Sequence, residues 1–151
     1  MSGEEREKRG VLVVDDDADF CASLADVLAG AGYDVTTAAT ARDALARARD
    51  TAPHVFLVDV RLGKDSGTEL VQTLAKAEPR SLCVIMTAYA GTDTAIRALK
   101  AGAYDYLVKP IEPEDLFATL DRCFERVRLL AENEAARHAL EAGNRDLSRL
   151  N

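Results

Sequence analysis

Val55-Phe56-Leu57-Val58-Asp59 places four consecutive apolar residues directly ahead of a carboxylate. An apolar run this short reads as a strand covered on both faces, the kind found in the middle of a parallel sheet. Asp59 then falls where the strand ends and a loop begins. In open α/β sheets that carboxyl edge is where ligands bind. One aspartate at a strand end is as easily a helix cap or a turn residue, so its meaning depends on what other strands bring to the same edge.

Working outward, four further segments read as strands. Val11-Leu12-Val13-Val14 runs into Asp15-Asp16-Asp17, and Tyr33 to Thr37 forms a second strand. Leu82-Cys83-Val84-Ile85-Met86 ends at Thr87, and Tyr104 to Val108 leads to Lys109-Pro110. Helical spacing fills the intervals. Asp17 is placed to cap a helix carrying Phe20, Leu24, Val27 and Leu28, which Gly30 and Gly32 stop. Thr40 with Asp43 resembles a capping box and opens an alanine-rich helix to about Asp50. Thr68 to Ala77 and Thr92 to Lys100 follow, the latter closed by Gly102. Pro113 sits at a favourable first helical position, and the pattern stays helical from there to the end. Five strands alternating with five helices predict a doubly wound parallel sheet.

Length and composition support one globular domain with an appendage. The chain has 151 residues, 48% of them hydrophobic, and a formal charge of −7 from 19 basic and 26 acidic residues. That balance argues against nonspecific nucleic-acid binding and against attachment to an acidic membrane surface. No apolar run approaches membrane-spanning length, and Met1 to Arg9 is charged where a signal peptide needs an apolar stretch, so a cytoplasmic location is expected. Cys21, Cys83 and Cys123 lie far apart within apolar patterns and read as small buried hydrophobes. His54 reads as a turn residue and His138 as a solvent-facing helix residue. Neither is spaced for a transition-metal site.

Parallel strands share their polarity, so Asp15 and Asp16, Asp59, Thr87 and Lys109 all arrive at one edge. Converging carboxylates raise one another's pKa values unless a cation neutralises them. A small set of oxygen ligands without histidine or cysteine suits Mg2+. A lysine offers a point charge to a phosphate, and a threonine hydroxyl can donate to one of its oxygens. Aspartate carboxylates form acyl phosphates. The chemistry inferred is phosphoryl transfer onto Asp59, with the metal and Lys109 neutralising transition-state charge.

The segments Val11–Asp17, Val55–Asp59, Met86-Thr87-Ala88 and Gly102–Pro110 together resemble the receiver domain of bacterial two-component response regulators, over about Val11 to Val127. The resemblance implies a flavodoxin-like fold of strand order 2-1-3-4-5. It implies that Asp59 is the phosphoacceptor for a sensor histidine kinase and that the protein is a signalling switch rather than an enzyme. Asp16 would ligate Mg2+ directly, Asp15 would assist, and Asp59 with the backbone carbonyl of Arg61 would complete the protein ligands. Thr87 and Lys109 would contact the phosphoryl group, and Tyr106 would be the aromatic switch. Lys109-Pro110 matches a cis peptide bond of the family. Bulky Arg61 and Tyr89 at the positions controlling water access imply slow loss of the phosphate. Leu62-Gly63-Lys64-Asp65 departs from the Pro-Gly many relatives carry, and Gly63 in place of proline is expected to loosen that loop.

Three segments are expected: a polar lead-in over residues 1–10, the receiver over 11–127, and a helical extension over 128–151. Leu116, Leu120, Cys123 and Val127 form the stripe that packs on the sheet. Leu129, Asn133, Ala136, Leu140, Gly143, Leu147 and Leu150 form a second seam with heptad steps, read as a coiled coil that makes a homodimer, as a linker to an output domain, or as both. Two other functions fit parts of the pattern. A magnesium-dependent phosphatase with Asp59 as nucleophile would ordinarily need a cap insertion, and the connections here are short. A dimerisation scaffold has no use for the acidic pair, Thr87 and Lys109.

Overall fold

The structure is a computed structural model describing residues 9–150, with side chains described through residue 143. The elements are β1 (Gly10–Val14), α1 (Ala18–Gly30), β2 (Asp34–Ala38), α2 (Ala41–Thr51), β3 (Val55–Asp59), β4 (Arg61–Leu62), β5 (Asp65–Ser66), α3 (Gly67–Ala77), β6 (Leu82–Thr87), α4 (Thr92–Ala101), β7 (Asp105–Val108) and α5 (Pro113–Leu150). Five strands make one parallel sheet in the order β2-β1-β3-β6-β7. Counting only those five, this is the expected order 2-1-3-4-5.

VFLVD is the central strand, and its alternation builds two cores at once. Phe56 and Val58 face the side covered by α2, α3 and α4, together with Leu12, Val14 and Ile85. Val55 and Leu57 face the side covered by α1 and α5, together with Val11, Val13, Val84 and Met86. All these side chains are essentially inaccessible. Each contributes roughly 1.5–3 kcal/mol by leaving water. That is why an unbroken apolar run, rather than an alternating one, marks this strand.

Local signals start the helices where expected. Asp17 accepts from the Phe20 N–H at 3.1 Å and Thr40 from the Asp43 N–H at 3.1 Å. Ser66, which the sequence reading passed over, accepts from the Glu69 N–H at 3.3 Å and starts α3. Each such cap is worth about 1 kcal/mol. The second strand begins one residue later than expected, because Tyr33 is occupied elsewhere. Its ring stacks at 6.5 Å on Phe117 and tilts at 5.6 Å against Phe124, both on α5. His54 reaches the same cluster edge-on, 6.2 Å from Phe124.

The loop after Asp59 is the clearest departure. It is closed into a short antiparallel hairpin, with Arg61 paired to Ser66 and Leu62 to Asp65. Gly63 adopts φ +62° at its tip and Leu62 is buried beneath it. Glycine at this position therefore permits a tight turn instead of loosening the loop.

Along α5, Leu116, Leu120 and Cys123 are buried as expected, and the body-facing stripe continues through half-buried Phe124, Val127, Leu130 and Glu134. Glu134 pairs with Arg80 at 2.9 Å, so the helix is still in contact with the body about two turns beyond Val127. Leu129, Asn133, Ala136, Leu140 and Gly143 of the second seam are exposed. The side chains of Leu147 and Leu150 lie outside the described residues.

Candidate functional site

β1, β3, β6 and β7 end at the same edge of the sheet, and residues at or just past the ends of β1, β3 and β7 assemble one cluster. Asp15, Asp16 and Asp59 each present a carboxylate oxygen within 4.8 Å of the others. Asp15 is buried with 1% exposure, which no lone carboxylate tolerates without partners. Its Oδ1 accepts from the Asp17 N–H at 2.9 Å and its Oδ2 accepts from Lys109 Nζ at 2.6 Å. The same ammonium stands 3.4 Å from Asp59 Oδ2, while Asp59 Oδ1 accepts a long bond from the Arg61 N–H, also 3.4 Å. One lysine thus bridges two carboxylates delivered by different strands.

Burial pushes the Asp59 carboxyl above the usual aspartate range, and the charge of Asp15 adds to it. Lys109 and the Arg61 N–H pull back without cancelling the effect. Burial by itself draws Lys109 down, but the Asp15 and Asp59 carboxylates outweigh it and hold the ammonium above the ordinary lysine value. The arrangement therefore holds a negative site partly compensated by a permanent cation, where one further cation or an electrophile would relieve the remaining repulsion.

Two elements fix the lysine. The Lys109 N–H donates to the Thr87 carbonyl at 2.7 Å, and the Lys109-Pro110 peptide is cis. Nζ also sits 4.2 Å from the ring centroid of Phe20, a cation–π contact that spacing alone did not reveal. The Thr87 side chain is buried, accepting from the Tyr89 N–H at 3.1 Å. Tyr106 lies opposite Ile85 across β6 and β7, half-buried against the core below Thr87 rather than in the carboxylate cluster. Arg61 begins the hairpin, with its side chain exposed.

Two residues to which the sequence reading gave no role of their own shape the loop. A Cβ on Gly67 would lie 1.9 Å from the Asp59 carbonyl oxygen, so only glycine lets α3 begin that close to the end of β3. Asp65 Oδ2 accepts from the Ala41 N–H at 3.3 Å and ties the hairpin to the start of α2. The signals were a glycine just ahead of a helical pattern and an aspartate in the turn, both common enough to be overlooked.

A doubly wound sheet with acidic residues, a threonine and a lysine gathered at its carboxyl edge defines a class of phosphate-handling α/β domains. Within that class the chain belongs to the response regulator receiver domain family, whose sequence profile matches residues 11–121. The transcriptional regulatory protein ZraR of Salmonella typhimurium is 39% identical over 123 residues, covering 82% of this chain and 28% of ZraR. The chain thus spans less than a third of that relative. A CheY-like receiver domain from Methanospirillum hungatei is similar in structure, with a TM-score of 0.74 and 32% identity over 81% of this chain and 98% of that one. The BeF3-activated DrrB receiver domain has a TM-score of 0.71 and 30% identity over 79% of this chain and 99% of its own. Receiver domains are signalling domains that pair with histidine kinases and typically use Mg2+ at an acidic pocket. Among the described residues no helix is long and apolar enough to cross a membrane.

Proposed function

We infer that this chain is a phosphorylation-controlled switch in which Asp59 accepts a phosphoryl group from a sensor histidine kinase. The observation that carries this is the bridging of Asp15 and Asp59 by Lys109 at the end of three strands. An Asp59 carboxylate oxygen attacks phosphorus, forming an O–P bond as the P–N bond of phosphohistidine breaks. The electron pair returns to the imidazole nitrogen. Lys109 stabilises the charge gathering on the phosphoryl oxygens, and Thr87 donates its hydroxyl to one of them.

The donor set suits Mg2+: three carboxylates within reach of one another, hard oxygen atoms throughout, and the exposed Asp16 open to a hydrated ion. Asp16 would hold it directly, with Asp15, Asp59 and the Arg61 carbonyl completing the protein ligands. When bound, it supplies charge neutralisation for the transferred group. Withdrawal of Thr87 toward the phosphoryl group opens space into which Tyr106 turns. This is the conformational signal, and the protein assists its own phosphorylation without turning over an external substrate.

The switch occupies residues 11–127 and the extension 128–151. The exposed seam of Leu129, Asn133, Ala136 and Leu140 joins two copies as a coiled coil or leads to an output domain. ZraR, a transcriptional regulator, supports a DNA-directed output in a longer protein. The receiver segment itself contacts neither nucleic acid nor membrane and works in the cytoplasm. Beryllofluoride with Mg2+ tests the reading, since DrrB is activated by BeF3. Slow-exchange amide shifts at Thr87 and Tyr106 that need both reagents are expected. Equal shifts in an Asp59→Ala variant would contradict it.

A further inference from the structure

Beside the carboxylate cluster, α3 and α4 part to leave a cleft of about 570 Å³. The helices close on each other at their far ends, where a Cβ on Gly102 would lie 3.4 Å from Ala75. Between them, short residues on α4 leave the gap open. Ala98 and Ala101 line it, with Ile85 and Val60 also contributing apolar wall. Thr68 and Gln72 of α3 and Thr94 of α4 add polar groups. The volume falls within the range of roughly 300–1,000 Å³ typical of small-molecule sites, which combine apolar walls with a few convergent polar groups.

The charge of this cleft runs against that of the whole protein. The chain carries −7, yet Arg61, Arg97 and Lys100 line the opening. None of the three belongs to an ion pair among the described residues. The one carboxylate in the lining, Asp65, already accepts from the Ala41 N–H. Three cations without partners beside an apolar wall form a recognition surface for negative charge on a flat, largely apolar body.

We propose that the cleft between α3 and α4 is a regulatory site for a small organic anion, held by Arg97 and Lys100 with its apolar body against Ile85 and Ala98. The cleft wall includes Thr87 and Tyr89. On the reading that Thr87 moves during phosphorylation, on which this part of the proposal rests, the site changes shape with the switch. An occupant that prefers one shape shifts the phosphorylation equilibrium, and phosphorylation changes its affinity by the same factor. The rate of phosphorylation changes as the reactive shape gains or loses population.

The test uses the full chain and 8-anilinonaphthalene-1-sulfonate, a flat apolar anion whose fluorescence reports binding. Saturable binding at a single site is expected, with amide shifts at Thr68, Gln72 and Thr94. Because the side chains of Arg97 and Lys100 are exposed, an Arg97→Glu/Lys100→Glu variant keeps the fold. Loss of charge-assisted contacts should weaken its binding by about tenfold or more. The rate of Asp59 labelling by acetyl phosphate and Mg2+ should change with the dye in the natural chain and stay constant in the variant. Shifts confined to Leu129 and Leu140 on the extension, unweakened binding by the variant, or a labelling rate indifferent to the dye would overturn the proposal. No labelling in the dye-free control would instead sink the phosphoacceptor reading, and the cleft would still stand or fall on the titration.

Discussion

Lys109 Nζ lies 2.6 Å from Asp15 Oδ2, although the two residues are 94 positions apart in the chain. Asp15 is inaccessible to water and Lys109 is largely covered, so the pair is a desolvated one. Removing one member of such a pair leaves an uncompensated buried charge. In chelator, Lys109→Ala should therefore destabilise the domain by about 2–4 kcal/mol. Mg2+ should recover part of the loss by supplying a replacement cation. Urea unfolding in EDTA and in Mg2+ checks both halves, and an unchanged midpoint in EDTA would show that the pair carries no weight.

Gly67 and Gly30 should respond oppositely to the same added methyl group. At Gly67 the new Cβ falls on the Asp59 carbonyl, whereas at Gly30, in the last turn of α1, nothing lies within 4 Å. Gly67→Ala should cost upwards of ~4 kcal/mol or prevent folding. Gly30→Ala should stabilise by up to ~1 kcal/mol through helix propensity. Thermal unfolding of the two variants separates them, and a Gly67→Ala protein melting within a few degrees of the natural chain would refute the close approach.

Burial pushes the thiols of Cys83 and Cys123 up to about 12 and that of Cys21 to about 11. A native acid that keeps its proton after the unfolded chain has lost it makes the fold less stable as pH rises above the free thiol value of about 8.5. Lys109 acts in the same direction at higher pH, because its raised value holds stability that disappears only as the ammonium titrates. Urea midpoints should therefore fall between about pH 7.5 and pH 9.5, and fall less in Cys83→Val. At about pH 8 none of the thiols should react with Ellman's reagent until denaturant is added. Rapid native reaction would contradict their burial.

Leu129 and Leu140 are exposed on α5, while Leu130 and Glu134 face the body. The extension thus presents one face to its own domain and another to solvent. Sedimentation of the full chain should reveal a weak dimer, and Leu129→Glu/Leu140→Glu should make it monomeric. A dimer that survives those changes would place the interface on the receiver itself.

The sheet was legible in the sequence because both its faces are covered. Val11 to Val14 and Val55 to Val58 need apolar side chains at every position, and a loop does not sustain such a run. The acidic pair, Asp59, Thr87 and Lys109 were legible for a related reason: parallel strands put every terminal residue at one edge. The hairpin was not. Two-residue strands hold no periodicity, and Gly63 reads equally well as a slack loop or a tight turn. Tyr33 opens the second strand in the sequence reading. Its actual partners, Phe117 and Phe124, are more than eighty positions away, as is the Phe20 ring beneath Lys109. Contacts of that kind belong to the packing of α1 and α5, which local pattern does not specify.

The most direct test of the central claim is intact-mass and peptide analysis after incubation with acetyl phosphate. The natural chain should gain a single hydroxylamine-labile phosphoryl group, in the peptide containing Asp59, in Mg2+ and not in EDTA. The conservative variant Asp59→Asn should gain none. A hydroxylamine-labile phosphoryl group retained by Asp59→Asn, or mapped in the natural chain to a residue other than Asp59, would contradict the account.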